Sequence, residues 1–298
     1  MSKFGFVAAE RGNHAVARLC RIIGASVSGF YAWLRAIPAV QNRAEAEAEL
    51  RAHIGRIFTA RRRIYGSPRV HAELRRGGRR HSRRRVARLM REMGLAARGG
   101  RRPRPRTTDS RHDLPVAPNL LDRNFTAERP DTVWLADISY LPTDEGWLYL
   151  AAINDMATRE IVGWSMAGHL QAGLCVDALV MALQRCRPPE GLVHHSDRGV
   201  QYASSPYRQV LERHGIRQSM SRKGNCLDNA PIESFFASLK TEQVHLHARF
   251  RSREEAKAAV FDYIEIFYNR QRLHSALGYR TPAEARASME GITMLKAA

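Results

Sequence analysis

Cysteine is scarce in this chain of 298 residues: Cys20, Cys175, Cys186 and Cys226 stand far apart, with no CxxC pair among them. That spacing argues against a zinc finger or ribbon and against a disulfide framework, and leaves reduced thiols in a reducing compartment. No stretch approaches the roughly 18 apolar residues of a membrane span, and no charged-then-apolar leader opens the chain, so a cytoplasmic protein is expected. Acidic residues are in short supply too. The 29 Asp and Glu against 48 Lys and Arg leave a formal net charge of +19, which points to a polyanionic partner, nucleic acid first. Hydrophobic residues, by contrast, make up 44% of a chain long enough for about two domains, enough for a real core.

The positive charge is concentrated. Between Arg61 and Arg106 eighteen arginines face only Glu73 and Glu92, so this one stretch holds most of the excess. A run so dense repels itself unless phosphates neutralise it, which favours nucleic-acid contact over a merely solvated face. Two helix-turn-helix patterns occupy the same half. In the first, residues 14–36, Val16, Leu19, Cys20 and Ile23 keep helical spacing, Gly24 ends the helix, and Ser26 or Ser28 caps a second bearing Phe30, Trp33 and Leu34. In the second, residues 67–94, Ser67 and Pro68 open a helix that Gly77 and Gly78 stop. Ser82 then caps a helix with an apolar stripe of Val86, Leu89, Met90 and Met93, and Arg83, Arg84, Arg85, Arg88 and Arg91 lie on its other faces. An ordinary helical hairpin with a basic surface is the alternative in both cases. Residues 42–60 read as a separate amphipathic helix through Leu50, Ile54, Ile57 and Phe58. Residues 98–119 are rich in Pro, Gly and Arg without a hydrophobic period, a linker whose arginines, Arg101 and Arg102 included, can track a DNA backbone.

From about residue 130 the texture is mixed. Residues 132–142, 147–155 and 159–169 read as three strands whose short connections make hairpins and antiparallel pairing. A helix over 172–186, a strand over 191–196, a helix near 204–214, a strand over 216–220 and a long helix after Pro231 complete the order of a ribonuclease H-like α/β fold. In that order Asp137 falls mid-strand, where an ionised carboxylate is costly unless a cation compensates it. Asp197 follows the fourth strand at its carboxyl end, where ligands bind in such sheets. Glu233 lies in the first turn of the helix that residues 228–240 begin. Singly these are a buried polar group, a turn aspartate and a helix-start glutamate. Converging, they would repel without cations, and that is what a two-metal phosphoryl-transfer site needs.

Four segments in order, "WLADISY", "HSDRGVQY", "SRKGNCLDNAPIESFFASLK" and "YNRQRLHSALGYRTPAE", with 35 residues between Asp197 and Glu233 and Lys240 seven further on, resemble the DDE transposases of bacterial insertion sequences of the insertion-sequence-three group. That family's core is similar to retroviral integrase. One departure is Ala136, where the family commonly has threonine. The resemblance implies that Asp137, Asp197 and Glu233 hold two Mg²⁺ ions, Mn²⁺ substituting, with Asp137 bridging them. It implies 3′-end cleavage followed by strand transfer, with no covalent protein–DNA intermediate. It makes Lys240 and Lys223 DNA contacts beside Arg83, Arg84, Arg85, Arg88, Arg101 and Arg102, and matches Ser221, Asn225, Asp228 and Asn229 to a site-shaping loop. Asp228 or Asn229 as a helix cap is an equal alternative. His195 either approaches the phosphate or packs in its strand, and Asp155 reads as a turn residue. Thr281, Pro282 and Glu284 form a capping box that starts a helix, with Arg272 and His274 of the preceding segment satisfied internally or facing DNA.

The expected organisation is a helix-turn-helix-like segment at 1–40, a basic helical DNA-binding domain at 41–97, a Pro/Arg-rich linker at 98–125 and a ribonuclease H-like integrase catalytic domain at 126–290. The expected partner is double-stranded DNA, both transposon ends and target. A homo-oligomer would act on it in the cytoplasm at the nucleoid, alone or fused by frameshifting to an upstream helix-turn-helix product. A binder that lost its chemistry, and a ribonuclease H-like nuclease, are the competing readings. The three carboxylates with Lys240 argue against the first, and the helix-turn-helix patterns and basic linker against the second.

Overall fold

The structure is a computed structural model describing residues 2–97, 114–222, 226–244 and 249–297, and it divides into two compact units, Met1–Ala96 and Ala97–Ala298. The first is all helix: α1 (Lys3–Glu10), α2 (Val16–Ile22), α3 (Val27–Ala60), α4 (Ser67–Arg76) and α5 (Arg83–Glu92). Ser26 caps α3 by accepting from Gly29 N, Ser82 caps α5 by accepting from Arg85 N, and Gly24 and Gly78 take φ of +62° and +78° in the breaks between helices. Val7, Leu19, Cys20 and Phe30 form one small core. Leu50, Ile54, Phe58, Val70, Leu74, Val86, Leu89 and Met90 are buried where α3, α4 and α5 meet.

Two expectations change here. The helix of 26–36 and that of 42–60 are one helix of 34 residues with Pro38 inside it. Proline removes a donor and crowds the preceding turn, but the flanking "QNRAEAEAEL" consists largely of strong helix formers and contains no stop signal, so the helix continues. The helix α1 was not expected; its signal is Ser2, which caps it by accepting from Gly5 N at 3.1 Å.

The second unit is built on a five-stranded sheet in the order β3-β2-β1-β4-β5, with β1 (Val133–Thr143), β2 (Gly146–Asp155), β3 (Ile161–Ala167), β4 (Val193–Ser196) and β5 (Arg217–Met220). The pairs β1–β2 and β2–β3 are antiparallel, and β1–β4 and β4–β5 parallel. Helix α6 (Ala172–Cys186) packs on β3 and β2, and α7 (Val200–Ala203) and α8 (Ser205–Arg213) close over the same core with Trp134, Ala136, Ile153, Tyr202 and Tyr207. Gly163 is where α6 comes closest: a Cβ there would sit 2.2 Å from Ala178 O and 2.7 Å from Ala182 Cβ. Helix α9 (Ala230–Glu242) lies against β1 through its buried Ile232, Phe235, Phe236 and Leu239.

Helix α10 (Arg253–Phe261), not expected from the sequence, runs on into a π-helical turn, Asp262–Tyr268. Its signal is a second capping pair, Ser252 accepting from Glu255 N and Glu255 from Arg251 N. The side chain of Asn269 then pairs with both Ile161 N and Ile161 O. The expected capping box is present in reciprocal form, Glu284 N donating to Thr281 Oγ1 and Thr281 N to Glu284 Oε2, and it starts α11 (Pro282–Ala297). Arg286 of α11 holds Asp131 at 2.7 and 3.1 Å and pairs with Glu160.

Candidate active site and nucleic-acid interface

The sheet order explains how carboxylates 60 residues apart in sequence come together. Strand β4 pairs with β1 only over Val133–Leu135, and the two run parallel, so their carboxyl ends point the same way. Asp137 lies on β1 just past that pairing, and Asp197 directly follows β4. Beyond the pairing Ala136 O has no β4 partner, and Asn229 Nδ2 at the start of α9 donates to it at 3.0 Å. That bond ties the helix bearing Glu233 to the strand bearing Asp137. Ala136 itself is buried in the sheet core.

Each carboxylate is oriented locally. Asp137 Oδ1 accepts from Ile138 N at 2.7 Å, and Asp197 Oδ1 from Gly199 N at 2.9 Å. A Cβ on Gly199 would lie 3.0 Å from Asp197 Oδ1, so the turn suits glycine. Burial pushes the Asp137 carboxyl well above the usual carboxylate range, and the charges of Asp197 and Glu233 push the same way, while Lys240 pulls it down. Asp137 therefore senses all three partners. Lys240 Nζ sits 5.0 Å from the Tyr140 ring centroid on β1.

The other candidates divide. His195 is fully buried, its Nδ1 2.8 Å from Ser219 Oγ and its Nε2 3.2 Å from Ser221 Oγ, and burial drops it to about 4. It is a packed, neutral strand histidine. Asp155 accepts from Thr158 N, Thr158 Oγ1 and Asp131 N, as a turn residue would. Neither Asp228 nor Asn229 caps α9 with its side chain. Asp228 instead accepts from Arg222 N, the Arg222 guanidinium, Arg123 and Asn119, and these bonds, Arg222 foremost, hold it well below the carboxylate range. Arg272 is satisfied internally by Glu242 and Ser238. Lys223, Asn225, Arg101 and Arg102 lie outside the described residues.

On α5, Arg83 and Arg84 are exposed, and among the described residues neither forms an ion pair. Arg88 is taken up by Glu92 at 2.7 Å and Glu47 at 2.9 Å, and Arg85 lies 3.8 Å from Glu47. The uniform basic face read from the sequence is thus two classes of arginine. Only the tertiary contact of α3 with α5 reveals it.

Among the described residues no three His, Cys, Asp or Glu side chains close on one metal ion. An open carboxylate cluster of unbalanced negative charge does fit Mg²⁺, which takes one or two carboxylates and completes its octahedron with waters and substrate phosphates. It does not fit a closed structural cage of the zinc type.

An integrase core domain model matches residues 127–226, a second integrase core domain model residues 214–282, and an HTH-like domain model residues 45–104. The "Insertion element IS600 uncharacterized 31 kDa protein" of Shigella sonnei is 47% identical over 268 residues, covering 90% of this chain and 97% of that protein. The "Transposase InsF for insertion sequence IS3A" of Escherichia coli (strain K12) is 41% identical over 282 residues, 95% of this chain and 97% of that protein. Among solved structures, the catalytic core domain of HTLV-2 integrase in complex with magnesium aligns with a TM-score of 0.42 at 12% identity, over 53% of this chain and 97% of that one.

Proposed function

The chain belongs to the transposase family of the IS3 insertion sequences, and from that premise we propose that Asp137, Asp197 and Glu233 are the DDE carboxylates with which it cleaves DNA 3′ ends and transfers the freed strand. The observation that carries the assignment is geometric: the parallel pairing of β1 with β4 sets Asp137 and Asp197 side by side past its end, and Asn229 ties the helix bearing Glu233 to the strand bearing Asp137. Asp137, Asp197 and Glu233 would hold the divalent ions, Mg²⁺ with Mn²⁺ as substitute. When bound, such ions stabilise charge on the attacking and leaving oxygens of an in-line displacement. The protein's part is positional: Gly199 N orients Asp197, Asn229 ties α9 to β1, and Lys240 grips the phosphate chain beside the cluster.

Residues 41–97 supply the DNA-binding domain, with Arg83 and Arg84 meeting phosphates, and 126–290 the catalytic domain. Residues 1–40 and the linker 98–125, with Arg101 and Arg102, extend the DNA contact, as does Lys223. Two copies pair the two ends of the element, with or without an upstream-frame fusion, at the nucleoid. Among the described residues no helix is long and apolar enough to cross a membrane.

The test is Asp197→Asn, which keeps shape and removes a ligand charge. Nicking and joining should fall by about a thousandfold or more, several kcal/mol of transition-state stabilisation, while affinity for end DNA stays within a few-fold. Joining retained at the parental rate would overturn the site.

A further inference from the structure

Lysine is a mobile side chain, with rotamer entropy to lose before its ammonium can act at a fixed point. Lys240 is provided with a seat. Its Nζ lies 5.0 Å from the centroid of the Tyr140 ring, within the range of a cation–π contact. The ring is itself braced: Trp147, 48% exposed, meets it edge-on at 4.8 Å with the planes at 81°. The two are diagonal neighbours across the β1–β2 hairpin, where Tyr140 faces Tyr149 and Pro142 faces Trp147. The hairpin end is fixed in turn. Thr143 Oγ1 donates to Gly146 O at 2.6 Å, Asp144 N to Phe250 O at 2.9 Å, Arg253 N to Glu145 Oε2 at 2.9 Å and Arg253 Nε to Trp147 O at 3.2 Å. Tyr140 is also three residues from Asp137 on the same strand, roughly 10 Å along it.

We propose that Tyr140 is a positioning residue whose ring face, braced by Trp147, holds the Lys240 ammonium in place to receive the DNA phosphate beside the carboxylates. This rests on the reading of Lys240 as the DNA-gripping cation. The ring's share in binding is the quadrupole attraction, so a side chain of similar bulk without a π face loses it and phenylalanine keeps it.

The experiment compares full-length parental protein, Tyr140→Leu, Tyr140→Phe, Lys240→Ala and the double variant Tyr140→Leu/Lys240→Ala. Each joins a pre-cut duplex carrying the element's own terminal repeat to a plasmid. Tyr140→Leu should raise KM for end DNA by about fivefold with kcat within about twofold. Tyr140→Phe should restore the parental KM, and Tyr140→Leu should add nothing in the Lys240→Ala background. A merely structural tyrosine would lower kcat or stability alike in both backgrounds. The proposal is overturned if Tyr140→Leu has the parental KM, if Phe is as poor as Leu, or if the Leu effect persists without Lys240. The same series is repeated as affinity for that duplex in the Asp197→Asn background, where no chemistry is needed. A parental protein that joins no ends would overturn the functional reading, while these affinities still decide Tyr140.

Discussion

Arginine–glutamate pairs occur in both units, and they are different objects. In the helical unit Glu47 on α3 and Glu92 on α5 lie between Arg51 and Arg88, and all four side chains are about a third or more exposed. In the sheet unit Arg272 and Glu242, 5% and 6% exposed, meet at 2.7 Å through two bonds, with the Tyr263 hydroxyl donating to the same carboxylate at 2.7 Å. Solvent and salt screen the first set, so its effect is to choose which arginines remain available on a basic surface. Water is excluded from the second, so each partner depends on the other, and the pair pins the C-terminal segment to the helix that bears Glu233 and Lys240.

The contrast is broken most directly at Arg272. Arg272→Ala leaves Glu242 buried without its cation, which should cost about 3–5 kcal/mol. Hydrogen exchange should show the loss in the peptides of the sheet unit, with those of residues 2–96 keeping parental protection. Equal loss in both units would mean that the two do not unfold as separate bodies.

Acid should sharpen the same difference. His194 is fully buried against the Tyr207 hydroxyl at 2.9 Å, and burial, then the neighbouring His195, lowers it from 6.5 to about 3. A group depressed in the folded state contributes its full stability above the unfolded value and loses it as pH falls toward the folded one. His194→Gln cannot titrate. The thermal midpoint of the parental protein should therefore exceed that of His194→Gln at pH 7, and the gap should close as pH falls from about 6.5 toward 3. His81, lowered by burial and Arg85, and Asp137 and Asp155, raised by burial, titrate alike in both proteins and cancel in the difference. A gap independent of pH would show that His194 takes up its proton in the fold as readily as in the unfolded chain.

The smallest effects lie on α5. Arg83→Ala with Arg84→Ala should weaken binding to many DNA sequences alike and flatten the salt dependence by up to about 1.8, at roughly 0.9 per phosphate contact. Arg88→Ala, whose guanidinium is held by Glu47 and Glu92, should change the slope much less. Equal slopes for the two variants would erase the distinction between paired and available arginines.

Much of this chain was legible from its order of residues alone. Periodicity and caps placed α2, α4, α5, α6, α9 and all five strands, because a helix or strand is specified by neighbours a few residues away, and Ser26, Ser82 and Thr281 act within three residues of themselves. The short hairpins set the antiparallel half of the sheet, and the ordered motifs put Asp137, Asp197 and Glu233 into one family pattern. Tertiary structure decided what depends on distance in space. It merged two expected helices into α3, since nothing local stopped them after Pro38. It made Asp228 an arginine-bound anchor rather than a cap, it gave Asn229 the carbonyl of Ala136, and it separated Arg88 from Arg83 and Arg84. It also set Lys240 over Tyr140, residues a hundred positions apart. Burial and Coulomb energy follow separation through space, and no local pattern in a sequence records which distant carboxylate or ring a side chain will meet.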